Sequence, residues 1–257
     1  MEFFDTHCHL DFDAFDLDRD DVINRSRQHK VEHILVPAVT KQLWHKTISL
    51  CKNTPRCYLA LGLHPLFIDQ HQPHHLNELD ELVEKHQPTA IGEIGLDFYH
   101  KPQSSEKEKQ RLFFTKQLII ANQRNLPVII HNRKAHDVCI DILKEQNLPG
   151  GIIHAFNGSI QQANNYIKLG YKLGFGGMLT FERSNKLRQL AEQLPIESIV
   201  LETDAPDMTV AQHSGQRNSP EYIPFIAKSL AEIKQMSVEK IAIETTLNAK
   251  SVFNLNS

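Results

Sequence analysis

Eight short apolar runs, each followed by a longer amphipathic stretch, predict a (β/α)8 TIM barrel forming a single domain over residues 1–257. The runs are near-continuous instead of alternating, the pattern of parallel strands covered by helices. The competing architecture, a doubly wound open sheet, would need a Gly-rich first turn, and the first run leads instead into "THCHLD".

In chain order the strand-like runs are "FFDTH", "VEHILVPA", "CYLALGLH", "TAIGEIGL", "LPVIIH", "GGIIHAF", "YKLGFGG" and "ESIVLETD". Helix-like segments separate them. "DDVINRSRQH", "KQLWHKTISLCKN" and "HLNELDELVEKH" follow the first three runs, and "SEKEKQRLFFTKQLIIANQRN" and "HDVCIDILKEQN" the next two. "SIQQANNYIKLG" and "SNKLRQLAEQL" come next, and the tail from "SPEYIPF" to "KSVFNL" reads as two more helices. No low-complexity tract or soft linker divides the chain.

Hydrophobic residues make up 40% and charged residues 23%, an ordinary globular composition. No apolar stretch approaches a membrane span, and the charged residues after "MEFF" do not make a signal peptide. Cys8, Cys51, Cys57 and Cys139 have no C-x-x-C spacing and read as free thiols, so a cytoplasmic location is expected. A net charge of −3 gives no sign of a broad basic surface, so any contact with nucleic acid must be local. No obligate protein partner is evident.

The chemistry begins with His7-x-His9. Among 15 histidines such a pair arises by chance about once per chain, so it needs support elsewhere. In an extended chain His7 and His9 share one face, and Cys8 points to the other. Support comes from the ends of the other runs, where barrel active sites are built. His64 follows the third run, Glu93 lies in the fourth, His131 ends the fifth, His154 ends the sixth and Asp204 ends the eighth. Taken singly, His131 and His154 could be inert interior histidines, and Asp204 could cap a turn. Glu93 is harder to dismiss, because buried carboxylates are rare unless paired or metal-bound. Jointly, imidazoles and carboxylates converging on one mouth call for a cation. Mixed N/O donors suit Zn, Mn, Fe or Mg, and six ligands exceed a single tetrahedral ion. Two divalent ions sharing a bridging carboxylate are therefore expected, with Zn, Mg and Mn as the candidates.

"DTHCHLD", "LGLHP", "IGEIGLDFY", "PVIIHNRKAHD", "IIHAFNGS" and "LETDAP" together resemble the TatD-related metal-dependent deoxyribonucleases of the amidohydrolase superfamily, and the resemblance runs through the late "TTLNAKSVF". It implies His7, His9, Glu93 and Asp204 around one metal, and Glu93, His131 and His154 around the other. It also implies phosphodiester cleavage, with DNA, single-stranded or at its ends, as substrate. Two positions depart from the family pattern. Leu66 replaces the last His of Gly-x-His-Pro-His, and Ser219 replaces the Glu of Arg-Asn-Glu-Pro.

Asp204 and Glu93 are the candidate catalytic carboxylates, with Asp204 deprotonating water. His64 and Arg133 are the candidate phosphate contacts, Arg133 through its bidentate fork, although a surface salt bridge is the bland reading of Arg133. Glu202, two residues before Asp204, is either an outer-shell partner or an ordinary buried strand residue. Another hydrolase on the same metals, acting on an amide, lactone or phosphoester, remains the alternative, and a metal-binding scaffold without turnover a more distant one.

Overall fold

The apolar runs become eight parallel strands in sequence order, β1 to β8. The computed structural model describes residues 1–255. The strands are β1 (Phe3–Asp5), β2 (Val31–Ala38), β3 (Cys57–Leu61), β4 (Ala90–Asp97), β5 (Val128–Arg133), β6 (Gly151–Ile153), β7 (Tyr171–Phe175) and β8 (Ile199–Leu201). Between them run α1 (Arg19–Gln28), α2 (Lys41–Asn53), α3 (His74–His86), α4 (Ser104–Gln123), α5 (His136–Lys144), α6 (Ile160–Lys168) and α7 (Asn185–Gln193). Two closing helices follow, α8 (Ile223–Lys234) and α9 (Val238–Val252). The barrel read from the sequence is the barrel observed. Among the described residues no helix is long and apolar enough to cross a membrane.

The seam between β1 and β8 lies mostly beyond the strands themselves. Thr6 N–H donates to Leu201 O at 3.0 Å, Asp204 N–H to His7 O at 2.8 Å, and His9 N–H to Ala205 O at 2.8 Å. Cys8 pairs in parallel with Ala205. His7 and His9 therefore fall just past the carboxyl end of β1, where the sequence placed them. Cys8 points away into the apolar layer beneath the helices, where it is fully buried.

A second apolar cluster fills the barrel interior, with Phe4, Leu35, Ala60, Ala90, Ile129, Ile152 and Val200 from the strands. Phe253, just after α9, plugs the lower end against Phe4 with ring centroids 5.6 Å apart. Because strand side chains alternate, an apolar residue low in the barrel marks which residues above it also face inward. Ile129 predicts His131 and Arg133, Ile152 predicts His154, and Val200 predicts Glu202 and Asp204. On β4 the rule is broken: Ala90 and Glu93, three apart, both face the interior, because the ladder to β5 slips between Ile91 and Ile94.

Gly95 sits beside that irregularity with φ +143°, and a Cβ there would lie 1.9 Å from His131 O. Both the backbone conformation and the close approach of β5 require glycine. Gly95→Ala is expected to cost about 3 kcal/mol or more, from strain plus overpacking. Thermal or urea unfolding measures it, and an unchanged midpoint would refute the close approach.

Candidate metal centre

The inward residues at the top of the barrel meet around Glu93, which is 2% exposed. Its two oxygens face different neighbours. Oε2 lies 3.1 Å from His7 Nε2 and 3.5 Å from His9 Nε2. Oε1 lies 3.1 Å from His64 Nε2, 3.2 Å from His131 Nδ1 and 3.8 Å from His154 Nε2. Asp204 spans the same divide, with Oδ1 3.7 Å from His7 Nε2 and 3.5 Å from His9 Nε2, and Oδ2 3.8 Å from His154 Nε2. Its backbone adopts φ +58°, a left-handed conformation that Asp tolerates. All six residues read from the sequence as metal donors are thus brought together.

The outer nitrogens decide what the inner ones can do. His9 Nδ1–H donates to Pro37 O at 3.2 Å, which aims the Nε2 lone pair at the cluster. His131 Nε2–H donates to Asp97 Oδ2 at 3.0 Å, which likewise leaves Nδ1 facing Glu93. His64 is the reverse case. Leu66 N–H donates to its Nδ1 at 3.1 Å, so the ring proton sits on Nε2 and is donated to Glu93. His64 is buried, and both its nitrogens are engaged within the protein. Leu66, the departure beside it, is half exposed at the rim.

Four supporting groups carried no role in the sequence reading. Asp97 orients His131, and its place on the inner face four residues after Glu93 was the available signal. His71 is buried and its Nε2–H donates to His64 O at 2.9 Å. Gln117 on α4 brackets the backbone of Leu63, and Gln110, two helical turns earlier, brackets Asp97 in the same way. Glu202, which the sequence left open, has the outer-shell position. Its Oε1 accepts the Ala155 N–H at 2.6 Å and lies 3.1 Å from His154 Nδ1, too bent for a full hydrogen bond. Gly174 makes room for it, since a Cβ there would come within 2.1 Å of Glu202 Oε2.

Arg133 is half buried on the inner side of β5, its guanidinium carbon 3.5 Å from the Tyr99 ring centroid, and forms no ion pair among the described residues. The late loop serves another purpose. Arg217 grips Asp18 with two hydrogen bonds of 2.9 and 2.6 Å, and the buried Asn218 donates to Thr203 O and Asp207 O. Ser219 is 3% exposed, so this departure lies beneath the loop surface.

The donor chemistry fits a divalent cation. His7 Nε2 and His9 Nε2 stand 3.3 Å apart beside two carboxylate oxygens, an arrangement that needs positive charge between them. Protons are the other cations able to balance it. Burial disfavours the charged form of His9, but the hydrogen bond to Asp204 and the Glu93 charge outweigh it and lift its pKa to about 9. Burial acts the same way on His154, and the Glu202 and Asp204 charges raise it to about 10. Burial alone would raise the two carboxylates. The imidazoles around them win, holding Glu93 well below the usual range and Asp204 at about 2. His64 moves the other way, lowered by burial to about 4, in keeping with its neutral, Glu93-donating tautomer.

In protein stripped of metal, His9 and His154 hold protons at neutral pH that an incoming ion must displace. Metal affinity should therefore rise with pH up to about 9 to 10, and binding should release protons. Calorimetry in buffers of differing ionisation enthalpy reads both, and a pH-independent affinity would contradict the donor set. Asp97→Asn should weaken metal binding about 10- to 100-fold by freeing the His131 ring. Glu93→Ala should lose metal outright and Cys8→Ser should lose none. Elemental analysis and chelator competition measure all three.

A family model described as TatD related DNase matches residues 4–254. The metal-dependent hydrolase YjjV of Escherichia coli K12 is 38% identical over 256 residues, covering 98% of this chain and 98% of that protein. A metal-dependent hydrolase of Haemophilus influenzae is 41% identical over 266 residues, covering 99% of this chain and 100% of that protein. The crystal structure of YjjV, a TatD homologue, aligns with a TM-score of 0.94 at 37% identity over 99% of this chain and 98% of that one. With its inward histidines and carboxylates gathered at the mouth of the barrel, the chain belongs to the TatD-related DNase family of metal-dependent hydrolases.

Proposed function

We propose that the chain acts as a single-domain deoxyribonuclease that hydrolyses phosphodiester bonds with two divalent ions. The observation that carries this reading is the split of Glu93, with one oxygen toward His7 and His9 and the other toward His131 and His154. In the proposed assignment His7, His9, Glu93 and Asp204 hold one ion, and Glu93, His131 and His154 hold the other. An imidazole-rich mixture favours Zn or Mn over Mg, which prefers oxygen. When bound, such ions supply Lewis acidity that polarises a phosphoryl oxygen and lowers the pKa of water.

The chain's own residues do the rest. Asp204 is the carboxylate of the cluster most open to the mouth, its side chain 18% exposed, and it stays ionised, so it can receive a proton from an attacking water. Glu93 keeps the two donor groups at a set separation, and His64 holds Glu93 by donating to Oε1. With both His64 nitrogens engaged, the substrate phosphate falls to Arg133, whose fork has no carboxylate partner among the described residues. DNA, single-stranded or at its ends, is the proposed substrate, and the free thiols suit a cytoplasmic enzyme.

The reading is tested by a metal-supplemented panel of single-stranded DNA, duplex DNA, RNA, phosphomonoesters, lactones and amides. Turnover confined to amides or lactones would overturn it. With metal saturating, Asp204→Asn should abolish measurable hydrolysis while leaving the fold intact. Arg133→Ala should raise KM for phosphodiesters about tenfold, the worth of a charge-assisted hydrogen bond, and leave neutral substrates unchanged.

A further inference from the structure

We propose that Tyr99 is a positioning residue for substrate phosphate: it holds the Arg133 guanidinium flat and ready, and the pair is aligned to the metal centre through Asp97. The inference rests on the nuclease reading above and assigns part of its substrate grip.

The argument starts from Arg133. Several arginines here pair with a carboxylate, as Arg25 does with Glu221 and Arg124 with Asp80. Arg133 instead lies 3.5 Å over the Tyr99 ring. Stacking engages the face of a guanidinium and leaves its edge, which carries the N–H donors, available. A free, flexible arginine would lose side-chain entropy on gripping a phosphate; one already laid on a ring loses less.

The platform is also indexed to the centre. Tyr99 follows β4, and its N–H donates to Asp97 Oδ1 at 2.9 Å. The other oxygen of the same carboxylate receives His131 Nε2–H at 3.0 Å. Arg133 lies two residues beyond His131 on the same face of β5 and is paired in register with Asp97. One buried carboxylate therefore sets both the histidine that faces Glu93 and the ring that carries the arginine. Tyr99 itself is 47% exposed at the rim of the barrel. A half-exposed aromatic at the rim presents a ring face on which Arg133 lies.

The test is a double-mutant cycle on binding, which does not depend on cleavage. Thymidine 5′-monophosphate and the uncharged nucleoside thymidine are titrated into Mn-saturated wild type, Tyr99→Ala, Tyr99→Phe, Arg133→Ala and the Tyr99→Ala/Arg133→Ala double variant. Tyr99→Ala should weaken the monophosphate about two- to fivefold, the size of an exposed cation–π contact. Tyr99→Phe should retain wild-type affinity, because the ring face matters and the hydroxyl does not. In the Arg133→Ala background, removal of Tyr99 should change nothing further, and thymidine should be unaffected throughout. An equal loss in both backgrounds overturns the proposal. So does an equal loss for thymidine, or a fall in the metal content of Tyr99→Ala, which would mark a structural role through Asp97. Intact coupling in a protein that cleaves no DNA would leave the clamp standing while removing the nuclease reading.

Discussion

Glu93 is a carboxylate sealed from water, and it stays ionised only because imidazole nitrogens surround both of its oxygens. Burying such a group unpaired would cost several kcal/mol, so the surrounding chain has to bring positive charge to it from every side. Four strands and their loops answer that demand with imidazoles, His7 and His9 after β1, His64 after β3, His131 on β5 and His154 after β6. Removing the carboxylate would leave the imidazoles facing one another across a space with nothing to balance. The rest of the mouth follows from keeping this single group charged, dry and symmetrically placed.

Holding the histidines in position is a second task, and it falls to groups packed behind the rings. Pro37 O and Asp97 each accept a hydrogen bond from the outer nitrogen of one inward ring, and Glu202 sets its charge 3.1 Å from the outer nitrogen of His154. Because an imidazole carries one proton when neutral, fixing the outer nitrogen as donor fixes the inner one as lone pair. His64 shows the opposite setting, reached simply by presenting a backbone N–H to Nδ1. Identical side chains thus take different roles according to which atom their outer nitrogen meets.

The seam between the first and last strands carries the other constraint. Asp5 lies buried there, accepting hydrogen bonds from the N–H groups of His7 and Thr203 and from the Thr203 hydroxyl at 2.5 Å. Burial, opposed by these bonds, pushes its pKa up to about 8. Arg217 and Asp18 tie the long loop after β8 to the loop after β1 across the same seam. Since His7, His9 and Asp204 come from those two loops, closing the barrel and assembling one half of the centre are a single structural event.

The sequence by itself determined the barrel, because near-continuous apolar runs alternating with amphipathic stretches have few other ways to bury both faces of a parallel sheet. It also determined which residues meet, since strand alternation places His131, His154 and Asp204 above the inward Ile129, Ile152 and Val200. It was silent on His64 as a donor to Glu93, on Asp97 as the support of His131, and on Tyr99 beneath Arg133. Those assignments depend on ring tautomers and on contacts between β3, β4 and β5, which no local spacing encodes. Glu93 shows the boundary most plainly. Its chemistry was legible as a carboxylate in an apolar run, but its inward direction arises from a one-residue slip in the β4–β5 ladder, and only the neighbouring strand decides that.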